Sequence, residues 1–191
     1  MGGVDWKYVV PYQEDVDKAL QALRQDVFIK GEYQRPNDAL DGFDDIDGTG
    51  FSTIDDEQER QSIIALYQIQ PLNVLIERVG IGGLREEVRS LINAPKLSSL
   101  DELEALLCLS TAGTSSILDI KHVAPALGPG TVTALPPEKL FKLFGTDKPT
   151  HSIIESNSGF YDAIGRGESI YIIAYEDDKP HEIYFAGYSY D

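Results

Sequence analysis

The twelve residues from Asp45 to Asp56 place oxygen-bearing side chains at positions one, three, five, nine and twelve: Asp45, Asp47, Thr49, Thr53 and Asp56. Gly50 stands at position six. That spacing follows the loop that wraps calcium between two helices. A hard divalent cation needs several oxygens converging on it, and glycine at the sixth position lets the chain turn sharply around it. The Phe51 carbonyl can add a further oxygen. Three features depart from the pattern. Ser52 stands where an aliphatic residue is usual, Asp56 is shorter than the usual glutamate, and Pro36 with Gly42 interrupts the incoming helix. The competing reading is a solvated acidic loop. Calcium is the one cofactor this sequence suggests.

The same stretch carries a broader signal. From Gln34 to Glu59, nine acids face a single base, Arg35, and account for half of the chain's net charge of −16. A block of like charge repels itself unless a cation or a basic partner neutralises it. Asp41, Asp44, Asp45 and Asp47 are therefore expected to meet a basic protein partner. Near the C-terminus Tyr171 and Tyr175, then Tyr184 and Tyr188, alternate with apolar residues. Period-two alternation reads as one apolar face and one tyrosine-rich face. Tyrosine combines rigid apolar area with a hydrogen-bonding tip, so these four join the expected partner-binding set. The competing reading buries that face under helices as a second core layer.

A pI near 4.4 argues against nucleic acid and against anionic lipid, both of which need a basic surface. No apolar run approaches the length that spans a bilayer, and residues 1–12 lack the pattern of a secretory signal. The expectation is a cytoplasmic protein that does not engage a membrane.

Catalytic patterns are weak. His122, His151 and His181 each lack a second histidine or cysteine at ligand spacing, so structural or surface roles are expected of all three. Asp119 and His122 are the nearest acid and base in sequence, but three apart on a strand they would point to opposite faces. Cys108, the single cysteine, sits among leucines and reads as a small core residue. Gly80, Gly82 and Gly83 lack the spacing of a phosphate loop and read as a helix break. Gly128-Pro129-Gly130 reads as a plain turn.

The elements that must position these residues follow from periodicity. Trp6 to Val10 is aromatic and β-branched and predicts a strand, ended by Pro11. Val16, Leu20, Leu23 and Val27 fall on one helical stripe within residues 13–29, with Gly31 as the stop. Residues 55–70 and 72–92 read as helices, the second broken around Gly80 to Gly83. Ser98 with Asp101 begins a short leucine-rich helix as a capping box would. Residues 115–123 predict a strand, 137–144 a helix closed by Gly145, and 151–164 one or two short helices. Residues 169–175 and 181–190 predict an antiparallel hairpin joined through 176–180. The fold class is α+β, a small antiparallel sheet with an N-terminal strand and a C-terminal hairpin and with helices between. One domain over 1–191 is expected, with an acidic loop and helical excursion at about 34–95.

Four segments carry a likeness. Trp6-x-Tyr8-x-Val10-Pro11-Tyr12-Gln13-x-Asp15, Ser116-Ile117-Leu118-Asp119-Ile120, Phe144-Gly145-Thr146 with Pro149-Thr150, and Phe185-Ala186-Gly187-Tyr188-Ser189-x-Asp191 resemble a group of uncharacterised bacterial proteins of similar size. The resemblance covers roughly the first thirty and last hundred residues and implies a compact bacterial domain, with no activity attached.

Charge and the missing catalytic set together predict a non-enzymatic acidic binding protein. It would be a toxin-neutralising immunity protein or an inhibitor of a basic partner. The alternatives are a calcium-binding regulatory domain and a small enzyme.

Overall fold

The computed structural model describes residues 3–37, 72–80, 83–110 and 112–189. These form two compact units, one from residues 1–34 with 114–191 and the other from 35–113. The class is α+β, with six helices among the described residues and a five-stranded sheet.

The first unit begins with β1 (Asp5–Pro11) and α1 (Val16–Lys30). Asp15 starts α1 by accepting from the Lys18 N–H at 3.0 Å. Gly31, at φ 72°, ends it with its N–H on the Val27 and Phe28 carbonyls. The expected stripe is buried at Leu20, Leu23 and Val27, while Val16 is half-exposed. Two short strands follow, β2 (His122–Val123) and β3 (Thr131–Ala134). The antiparallel hairpin of β4 (Ser169–Glu176) and β5 (Lys179–Tyr188) completes the sheet, in the order β1-β5-β4-β3-β2. β4 and β5 form the antiparallel hairpin the sequence predicts and β5 also pairs antiparallel with β1, whereas β3 joins β4 and β2 joins β3 in parallel. The sheet is thus mostly antiparallel with two short parallel strands at one edge.

The strand expected over 115–123 shrinks to β2. Residues Ile117–Asp119 form a 3-10 turn instead. The Ser116 hydroxyl accepts from the Leu118 N–H at 3.2 Å, and Asp119 Oδ1 accepts from the Thr114 N–H and hydroxyl at 2.6 and 2.8 Å. Such short-range side-chain bonds compete with a strand ladder and here prevail.

In the second unit α2 (Asn73–Val79) ends at Gly80 (φ 69°), and α3 (Leu84–Asn93) and α4 (Leu100–Leu107) follow. The helix break is as expected. The cap of α4 is Ser99 rather than Ser98. Ser99 accepts from the Glu102 N–H at 3.3 Å, and Glu102 reaches back to the Ser98 N–H at 2.7 Å. Glu102 is 3% exposed and also receives Arg78 at 2.9 Å. Arg35 donates to the carbonyls of Leu91, Ile92 and Ala94 at the end of α3, where a cation meets the negative end of the helix.

Within the first unit, one sheet face carries Ile170, Ile172, Ala174, Tyr184 and Ala186 into a core completed by Leu135, Ile154, Phe160 and Ile164. The covering elements are α5 (Pro137–Phe144), α6 (His151–Glu155) and a 3-10 turn at Gly159–Ala163. On the opposite face the Trp6 indole lies across Gly187, where a Cβ would stand 2.4 Å from the ring. Glycine is needed there because no side chain fits beneath the indole.

Candidate functional site

A hairpin, a bulge and a short helix build an open groove of about 480 Å³ at the turn end of β4 and β5. The turn is tight because Asp177 and Asp178 both take positive φ, 49° and 60°, which aspartate tolerates better than most residues. Glu176 pairs with Lys179 and Tyr175 with Pro180. Ala174 then pairs with Glu182, so that His181 is left over as a bulge. On the helical side the Tyr175 N–H donates to the Pro149 carbonyl at 2.9 Å, which pins the start of α6 beside β4. Ile154, one turn along α6, is buried in the core and holds the helix in place. Between them these anchors set Thr150, His151 and Ser152 against Glu176, Asp177, His181 and Glu182.

Both histidines meet a carboxylate. His151 Nδ1 is 2.7 Å from Glu182 Oε2, and His181 Nδ1 is 3.4 Å from Glu176 Oε2. The His151 ring also stands edge-on to Tyr184 with centroids 5.4 Å apart. One turn along α6 from His151, Glu155 takes both its oxygens to Lys7 of β1 at 2.7 Å. The Lys7 ammonium holds the Glu155 carboxyl below its ordinary value against the opposing effect of burial. The Tyr184 hydroxyl is buried within reach of the Glu155 and Glu182 charges. Burial first, and these anions second, push its ionisation well upward. At the groove's rim Lys148 sits 5.8 Å over the Tyr175 ring and 3.3 Å from Asp178. A cation that finds an aromatic face and a carboxylate together shows what this surface can hold.

The sequence-predicted residues are distributed unevenly. Asp41, Asp44, Asp45 and Asp47, and the calcium set Asp45, Asp47, Thr49, Thr53 and Asp56, lie outside the described residues, as does the helix expected over 55–70. Among the described residues no three histidine, cysteine or acidic side chains gather as metal ligands. The four tyrosines do not share a face. Tyr171 lies opposite Phe185, with ring centroids 6.4 Å apart, whereas Tyr184 lies opposite Ile172. The cause is the bulge. Continued from the turn without it, the pairing would set Tyr171 opposite Tyr184, and one extra residue in β5 flips every later side chain. Tyr184, 1% exposed, is in the core, and Tyr188 packs on Tyr161 with centroids 5.4 Å apart. Tyr175 alone of the four lines the groove.

Asp119 is buried and bonded to Thr114, and His122 is exposed on β2; the groove includes neither. Cys108 is half-buried at the end of α4, its thiol donating to the Ala105 carbonyl. Sequence reasoning passes over His151 and His181 because neither has a second histidine or cysteine at ligand spacing. Glu182 reaches His151 from a different part of the fold, whereas Glu176 meets His181 across the turn of their own hairpin. Comparison with family models, with curated proteins and with solved structures finds no match.

Proposed function

We propose that the chain is a binding protein for a basic partner, of the inhibitor or toxin-neutralising kind, and that the hairpin groove is a point of contact. The observation that carries this reading is the gathering of Glu176, Asp177 and Glu182 around one groove beside the Tyr175 ring, on a chain of net charge −16. Carboxylates aimed into a concave surface focus potential and attract a cationic group. An aromatic neighbour then adds a face for an ammonium or guanidinium. The seating of Lys148 over Tyr175 is an instance of the same chemistry within the chain itself. Complementary charge acts chiefly on the rate of association.

The test uses the full chain immobilised at pH 7.5, with labelled octa-arginine as the basic probe. Association is expected to slow as salt rises from 50 to 300 mM, with the Debye length falling from more than ~10 Å to less than ~8 Å. The double change Glu176→Gln and Glu182→Gln is expected to weaken binding by about tenfold, in line with ~1.5 kcal/mol, the low end of coupling between close charge pairs at interfaces. Affinity unmoved by both salt and substitution would remove the groove from consideration.

A further inference from the structure

We infer that the groove, on the reading just given, takes a lysine or arginine side chain in exchange for protons, with His151 and His181 as the exchanging groups. Each imidazole has its Nδ1 at a groove carboxylate, 2.7 Å for Glu182 and 3.4 Å for Glu176. In the neutral His151 ring Nδ1–H donates to Glu182 and Nε2 carries the lone pair, so the next proton enters at Nε2; at His181 the Glu176 carboxylate lies within ion-pair distance of Nδ1. Imidazolium then forms an ion pair with the very oxygen a cationic ligand would use. Imidazole is the side chain whose ordinary charge change falls between pH 5 and 8.

The charges around each ring favour this exchange. His151 faces Glu182 and the Tyr184 ring from β5 and Glu155 from its own helix, the last already matched by Lys7 of β1. His181 faces Glu176 of β4, with Asp177, Asp178 and Lys179 at the turn and Lys148 on Asp178. With both rings neutral the groove presents Glu176, Asp177 and Glu182 as three uncompensated anions. With both protonated only one remains uncompensated. A cation therefore binds best above the imidazole range and is released as pH falls through it. By linkage, binding the cation must displace protons from the same rings.

The experiment measures octa-arginine affinity for the full chain from pH 5.5 to 7.5 at fixed ionic strength, alongside the double variant His151→Gln and His181→Gln. Both histidine side chains are more than half exposed, at 56% and 55%, so their replacement leaves the core intact. The parent is expected to bind roughly tenfold more weakly at pH 5.5 than at 7.5, within the usual range of coupling between two ligands. The variant, whatever its affinity at pH 7.5, is expected to keep that affinity at pH 5.5. Imidazole NMR titration of the parent should move to lower pH when the peptide is added. If the peptide binds at pH 7.5 through Glu176 and Glu182 but the variant shows the parent's pH dependence, or the titration is unmoved, the proton exchange is overturned and the groove reading survives. If the peptide binds equally to the Glu176→Gln and Glu182→Gln protein, both fall together.

Discussion

At the scale of single residues, what a side chain does in this protein depends on which neighbour the backbone allows. Gly187 is a case in point: the Trp6 ring occupies the space that any Cβ would need, at 2.4 Å, with the Ser169 Cβ at 2.8 Å. Backbone and indole would both have to shift, so Gly187→Ala should cost about 1–3 kcal/mol, the usual range for overpacking a filled site. Trp6 is the only tryptophan, so its fluorescence reports the disturbance directly. The expected result is a lower urea midpoint with a changed native emission maximum, and an unchanged midpoint would show that the sheet yields freely there. His151 makes the complementary point. Its neighbours along the chain, from Lys148 to Ile154, include no acid, yet the fold sets its ring 2.7 Å from Glu182.

At the scale of elements, the caps and turns set where helices and strands begin. Glu102 closes the start of α4 through the Ser98 N–H and anchors Arg78, which also reaches Glu87 at 2.7 Å. Burial would raise the Glu102 carboxyl, but the Ser98 bonds and the Arg78 guanidinium outweigh it and hold the group below its ordinary value. A carboxyl depressed in the folded state contributes stability above its unfolded value, and that stability is lost as pH falls through the folded one. Glu102→Gln should therefore be less stable than the parent at pH 7 by about 1–3 kcal/mol, the cost of losing a charged hydrogen bond. The gap in urea midpoint should narrow as pH drops below the ordinary carboxyl value of 4.5. A gap that stays constant down to acid pH would mean the ionised form is not what α4 needs. The hairpin shows the same dependence on a single residue, since the bulge at His181 alone decides which tyrosines meet the core.

At the scale of the whole molecule, net charge dominates. Thirty-two acids against sixteen bases repel one another in any compact state, and salt screens that repulsion. The urea midpoint at pH 7.5 should rise between 10 and 300 mM sodium chloride, and a midpoint that falls instead would mean that attractive pairs such as Lys7 with Glu155 outweigh the repulsion. No helix among the described residues is long and apolar enough to cross a membrane. Periodicity and local chemistry are enough to read β1, the stripe of α1 with its Gly31 end, the break at Gly80, the helix closed by Gly145 and the hairpin, because each depends on contacts within a few residues. The α+β class follows from their order. Three things are settled only by the tertiary structure. The first is the parallel addition of β3 to β4, two strands distant in sequence, with β2 pairing in turn on β3. The second is the division of the tyrosines between two faces, which turns on a one-residue register shift. The third is the groove, where His151 finds Glu182 only when α6 is laid against β4 and β5. Composition by itself determines the sign of the charge; the fold decides where that charge converges, because a carboxylate's neighbours in space are set by packing and not by its place in the chain.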